Sequence, residues 1–185
     1  MESIDGPFGL QFLKIESCQV YLGTNKGGWV YASERPMHRV ELPSFMIMKD
    51  PISEKQFAEI LGKKNDSDEL KDMVTNDDVQ LICETLSSHF EDEVRRPTQS
   101  EWKACEELLN LPCGWTELLS DEATGNHRGA NLDGRPRTGE MIGPLSGHRV
   151  SQSAHPTKEN VYFCVNTPGD RPCLLYTSDA ADDRM

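Results

Sequence analysis

Thiols and imidazoles are the groups in this chain best suited to redox or metal chemistry. Its six cysteines, Cys18, Cys83, Cys105, Cys113, Cys164 and Cys173, include no C-x-x-C pair and no tight cluster of the kind that makes a zinc knuckle or a disulfide framework. The expectation is reduced thiols. The five histidines, His38, His89, His127, His148 and His155, form neither H-x-x-x-H nor H-E-x-x-H, so no helical metal motif is legible. Glu34 and Glu101 could be read as general acids, but Glu101 is better explained as the capping partner of Thr98. No set of residues is assigned as catalytic.

Two further constellations share residues 125–149. Asn126, Asn131 and Asp133 lie in a glycine-rich run, GNHRGANLDGR, and hard oxygen donors of this kind suit calcium. The same residues also suit an Asx-turn loop with no ion. Arg128, Arg135, Arg137 and Arg149 gather positive charge in an otherwise acidic chain. They could line a groove for a carboxylate, a phosphate or an acidic peptide, or stand as solvated surface arginines. Thirty-one acidic residues against nineteen basic ones give a net charge of -12, which opposes the counterion release behind non-specific nucleic-acid binding. Nucleic acid is therefore not expected as a partner. No cationic stretch leads into an apolar run near the start, and no segment approaches the roughly eighteen apolar residues of a membrane span. A cytoplasmic location with no membrane partner is the expectation.

The elements that must position these groups are short. A chain of 185 residues suits one domain. Residues 10–23 mix β-branched and aromatic residues and end at Gly23, which predicts one or two strands closing in a turn. Val40 and Leu42 alternate in His38–Leu42, Pro43 interrupts, and Phe45–Met48 predicts a second strand. Ser53 with Gln56 has capping-box spacing ahead of an apolar stripe at Phe57, Ile60 and Leu61, and the helix should end near Gly62. Lys63–Asp78 is polar enough to predict a solvated connection outside the core, with a helical turn at Leu70–Val74. Asn76 or Asp77 can cap a second helix carrying Val79, Ile82, Cys83 and Leu86. Thr98, following Pro97 and paired with Glu101, opens a third, with Trp102, Cys105, Leu108 and Leu109 on one face. Beyond Cys113 the glycines and prolines predict a long loop-built half closed by one late strand over Glu159–Val165.

Several of these runs resemble the formylglycine-generating enzyme, or sulfatase-modifying-factor, family. Ile15–Thr24 is similar to its opening strand pair, and Glu34–Ile47 resembles the signature E-x-P-x-H-x-V-x-L-x-x-F-x-I. Pro51–Phe57 resembles P-V-T-x-x-Q-Y, and Arg95–Trp102 (RRPTQSEW) resembles R-L-P-T-E-A-E-W. Arg149, Pro156 and the run NVYFCV over 160–165 resemble the closing R…P…N-x-G-F-R. The resemblance spans roughly residues 12–166. It implies an α+β fold, an irregular relative of the C-type lectin fold with few short helices, short antiparallel strands and long loops. The domain should occupy 12–168 behind an arm at 1–11. His38, inside the signature, is expected to be a hydrogen-bonded packing residue.

The family's oxidases bind copper through two cysteines just before the arginine-rich strand, and soft thiolates suit Cu(I). Aligning Arg149 with the arginine of that strand puts the pair within 135–148, RPRTGEMIGPLSGH, which contains no cysteine. Copper is therefore not expected. Cys164 stands in place of the arginine of G-F-R, and Tyr162 in place of its glycine. The resemblance further implies that the loop-rich half carrying the arginines is the ligand face, and that calcium is the one structural ion to consider. The expected function is a binding scaffold for a peptide, a glycan or another protein. The alternative is an active oxidoreductase with a rearranged thiol–metal site, for instance through Cys113 and Cys164. Finally, Cys173 to Asp183 resemble the in-frame translation of a transposase adapter used in sequencing libraries, so 173–185 are set aside as adapter-derived.

Overall fold

The computed structural model describes residues 3–28, 35–71, 74–90, 92–105, 108–109, 115–121, 127–136, 149–151, 158–160 and 163–166, with backbone alone at 76, 115–118, 149–151, 158–160 and 166. In chain order the elements begin with β1 (Ser3–Asp5), a 3-10 turn at Pro7–Gly9, β2 (Gln11–Ile15), β3 (Cys18–Leu22), β4 (His38–Leu42) and β5 (Phe45–Met48). They continue with α1 (Glu54–Ile60), α2 (Asn76–Phe90), β6 (Val94–Arg95), α3 (Gln99–Cys105), β7 (Trp115–Leu118), β8 (Arg149–Ser151), β9 (Lys158–Asn160) and β10 (Cys164–Asn166). The fold is α+β with short strands, nearly all antiparallel. No helix among the described residues is long and apolar enough to cross a membrane.

The main sheet runs β1-β2-β5-β10-β6. Its centre is β5, where Phe45, Met46, Ile47 and Met48 are all buried; a strand covered on both faces carries apolar residues at every position rather than alternating. Ile47 lies opposite Leu13 on one side and Cys164 on the other. The hairpin β3–β4 does alternate: Val40 and Leu42 turn inward, while Arg39 and Glu41 face water. Residues 1–11 carry an edge strand, with Ser3–Asp5 opposite Leu13–Gln11 and Leu10 buried beneath.

Both capping boxes form. Ser53 Oγ accepts the Gln56 N–H while the Gln56 side chain accepts the Ser53 N–H, and Gly62 ends the following turn at φ +67. The second helix differs from expectation at its start, because Thr75 rather than Asn76 or Asp77 accepts the Asp78 N–H. Three residues separate that hydroxyl from the N–H, the spacing an N-cap needs. Leu108 leaves the buried stripe and is 42% exposed, its N–H donating to the Cys105 carbonyl.

Three larger departures lie in connections. The polar 63–71 segment folds back on α1, with Ser53 bridged to Leu70 and Lys71 donating to the Ile52 carbonyl; the helical turn expected over Leu70–Val74 falls partly outside the described residues. Val74, at its end, packs partly buried on the core. The late strand is two: Lys158–Asn160 runs parallel to β7, whereas Cys164–Asn166 inserts between β5 and β6. The half read as loop therefore contains a three-stranded sheet, β8-β7-β9. Strands of three or four residues among glycines fall below what alternation can reveal.

The two-residue β6 lies at the sheet edge, and an unpaired edge N–H beneath a helix must find a partner. Val94 N–H finds it in Ser87 Oγ at 2.8 Å, and that hydroxyl donates to the Cys83 carbonyl at 2.6 Å. Ser87→Ala should destabilise the fold by about 1–3 kcal/mol by orphaning the Val94 N–H, read as a lower midpoint in urea unfolding with an unchanged m-value.

Candidate functional site

Two regions bring chemically capable side chains together. The first surrounds the start of α3. Thr98 Oγ1 accepts the Glu101 N–H and Glu101 accepts the Thr98 N–H, which fixes the Glu101 carboxylate at the helix entry. Arg95, on β6, then grips it with both terminal nitrogens, at 2.7 and 2.6 Å. Glu101 is 3% exposed, so its charge is held by that fork and by the backbone N–H, and the pairing raises the Arg95 pKa further. Asp121 accepts the Gln99 N–H, and Ser120 donates twice to the Pro97 carbonyl, tying the residues after β7 to the same corner.

Beside this corner a groove of about 760 Å³ opens between α2 and β6, lined by Gln80, Cys83, Ser87, Glu93, Arg95 and Arg96 among others. It mixes both signs of charge. Burial pushes the Cys83 thiol up to about 11 and the fully enclosed Cys164 thiol well above its usual range. Cys105 is buried too, its sulfur directed at the Glu101 carbonyl at 3.0 Å. Cys18, Cys83, Cys105 and Cys164 are all free thiols, and burial raises the pKa of Cys18, Cys83 and Cys164, which disfavours the thiolates that attack or bind soft metals.

The second region is where the 127–136 loop lies on β4. Glu41 N–H donates to the Leu132 carbonyl and His127 N–H to the Arg35 carbonyl, at 2.9 and 2.7 Å. Gly134, at φ +78, sits so close that a Cβ there would meet Leu42 Cδ2 at 2.5 Å. The loop is thus fastened along the outer edge of the hairpin. Beneath it the His38 and His127 rings meet at 5.0 Å between centroids, tilted by 44°.

The sequence matches no protein-family model and no curated protein. The fold, however, is shared. PvdO from Pseudomonas aeruginosa superposes with a TM-score of 0.67 over 90% of this chain and 98% of its own, at 11% identity. Treponema denticola variable protein 1 does so with a TM-score of 0.59 over 90% of this chain and 99% of its own, at 12% identity. At such identities the likeness is one of fold.

The residues singled out from sequence are distributed as follows. Arg128 and Arg135 are exposed on the fastened loop, and Arg149 lies on β8 with its backbone opposite Leu118. Arg137 and Asn126 lie outside the described residues, as do Cys113 and 173–185. Asp133 accepts the Arg135 N–H and pairs with its Nε at 2.9 Å, while the Asn131 amide donates to the Arg135 and Pro136 carbonyls. The Asp133 contact with the Arg135 N–H is an Asx turn. His38 is hydrogen-bonded on one side alone: Nδ1 lies 3.4 Å from the Pro36 carbonyl, and Nε2 is buried with no partner among the described residues. Its juxtaposition with His127 has no signal in local spacing, because 89 positions separate the two.

Removing the Glu101 charge should be costly. Glu101→Ala leaves Arg95 partly buried without its anion, and a loss of about 3–5 kcal/mol is expected, against little for the exposed Asp133→Ala, both measured by chemical denaturation. Cys83 should resist alkylation despite lining a groove. At pH 8 its reaction with iodoacetamide should be on the order of ten- to a hundredfold slower than that of a free thiol, and mass spectrometry should show the rate climbing until the pH reaches about 11. Between the ordinary value of 9.0 and about 11 the folded thiol keeps a proton that the unfolded chain has lost, so its contribution makes stability fall as pH rises across that window.

Proposed function

We propose that this chain is a binding module on a formylglycine-generating-enzyme-like scaffold, which holds a peptide, a glycan or another protein and carries no copper oxidase chemistry. The observation behind this reading is that the scaffold residues are kept while the cysteine pair is missing. Arg95, Thr98 and Glu101 of the R-x-P-T-x-x-E-W run form a closed set of hydrogen bonds at the α3 entry. The strands of the His-containing signature form β4 and β5. Residues 135–148, where the copper-binding pair would fall, contain no cysteine. The fold shared with PvdO, a formylglycine-generating-enzyme-like protein, supports the same assignment of scaffold.

Chemistry argues in the same direction. Cu(I) needs accessible thiolates converging on one point, and Cys105 and Cys164 are both buried, burial pushing the Cys164 thiol well above its usual range. The ligand face of this reading is the loop-rich half, where Arg128 and Arg135 supply exposed guanidinium groups on a backbone anchored to β4. An acidic or carboxylate-bearing ligand is the class such groups favour.

Titration of the reduced, full chain with Cu(I) against a competing chelator tests the proposal. Only weak binding, unaffected by cysteine substitution, is expected. One tightly held Cu(I) per chain, abolished by Cys113→Ser or Cys164→Ser, would instead establish the oxidoreductase reading with a rearranged thiol–metal site.

A further inference from the structure

We propose that the open edge of β3 takes up an extended acidic peptide segment of a protein partner as a third strand of the β3–β4 sheet, with Tyr21 and Arg39 reading its side chains. This rests on the binding-module reading above and gives that module a ligand class and an attachment point. The first observation is the hydrogen-bond register. Cys18–Leu22 and His38–Leu42 pair antiparallel, with Gln19 opposite Glu41 and Tyr21 opposite Arg39. Glu41 sends its N–H away from β3, to the Leu132 carbonyl. The Gln19–Glu41 pair and, two residues on, the Tyr21–Arg39 pair are therefore those that exchange no backbone hydrogen bonds. The N–H and C=O groups of Gln19 and Tyr21 point out of the sheet at its free edge. The far side of β4 is met by the Leu132 carbonyl, whereas β3 has no second neighbouring strand among the described residues. A row of such groups is a template for strand addition.

The second observation is the side chains beside that edge. Tyr21 is 58% exposed, Met37, one residue before β4, is 42% exposed, and Leu132 is 59% exposed. Of the five large apolar side chains exposed among the described residues, three belong to this hairpin and the loop attached to it. One exposed apolar side chain is ordinary. Tyrosine and methionine gathered with arginine match the composition of protein contact surfaces, where all three are enriched.

Charge selects the occupant. Residues 35–42 and 127–136 together hold four arginines against Glu41 and Asp133, a local excess of two positive charges in a chain of net charge -12. Arg39 pairs with Glu41 at 3.0 Å, but both side chains are more than half exposed, and a pair so open to water contributes little, so a peptide carboxylate can compete for Arg39. A basic peptide would meet the arginine excess. A phosphate polymer would satisfy the charge but not the backbone ladder, whose hydrogen bonds supply affinity while alternate side chains supply specificity.

Selection of a random-peptide display library on the reduced full chain, followed by amide hydrogen exchange with the recovered peptide, is the test. Enriched sequences should combine Asp or Glu with an apolar or aromatic residue. Exchange at Gln19 and Tyr21 should be fast in the free chain and slow in the complex, while Val20, whose N–H the register directs at Val40, is slow in both. Tyr21→Ser and Arg39→Glu, both at exposed positions, should each weaken binding roughly tenfold or more, and Leu81→Ser, exposed on α2, should leave it unchanged. The exchange measurement uses the unsubstituted chain and does not depend on how the variants fold. The proposal is overturned if no peptide is enriched, if basic sequences are, or if protection falls on amides away from β3. That last outcome would leave a binding module with a different ligand face, whereas the module reading itself fails on tight thiolate-dependent Cu(I) binding.

Discussion

A carboxylate with 3% exposure must find donors for both oxygens, and Glu101 finds them in the Arg95 fork and the Thr98 N–H. Much of the architecture depends on that pairing. Arg95 belongs to β6, which closes the five-stranded sheet against β10, so the ion pair fixes the sheet's last strand to the first turn of α3. The Pro97 carbonyl and the Gln99 N–H are taken by Ser120 and Asp121, which ties the chain after β7 to the same point. A buried pair of this kind adds little net stability compared with apolar packing, but it tolerates only one arrangement, since either partner alone would be an uncompensated charge. It acts as a register pin for a fold whose strands are too short to set their own register.

Short strands leave backbone edges that must be satisfied by something else. Here side chains and loops take that role. Ser87 closes the β6 edge, the Leu132 carbonyl closes β4, and the 67–71 segment adds hydrogen bonds beside Ser53 and α1. The same economy shapes the candidate functional surfaces. The 127–136 loop, which carries Arg128 and Arg135, is hydrogen-bonded to Glu41 and Arg35, and its anchoring brings two imidazoles into contact. Among the described thiols, Cys105 and Cys164 are drawn into the packing. Burial raises the pKa values of Cys18, Cys83 and Cys164.

Elements whose cause lies within a few residues were legible from the chain alone. Both capping boxes, the alternation of His38–Leu42 and the apolar run Phe45–Met48 are written in spacings of two to four residues. The resemblance of Glu34–Ile47 and Arg95–Trp102 to a known scaffold added the α+β class. Legibility failed where a local preference was weak or a nearby competitor stood by. Thr75 competes with Asn76 and Asp77, which are intrinsically better caps one and two positions on. The β7-β8-β9 sheet hid among glycines and prolines, and the run to Val165 concealed a break between two strands in different sheets.

The sequence by itself determined the strands β2 to β5 and the helices α1 to α3, which of their faces are apolar, and that no cysteine occupies 135–148. Those properties follow from side-chain type and near-neighbour spacing. Only the tertiary structure decided that β10 enters between β5 and β6, that Arg95 spends its charge on Glu101, that Asp133 is taken by Arg135, and that His38 meets His127. Each of these depends on what a group finds across space once water is excluded, where desolvation makes an unmatched charge or donor costly.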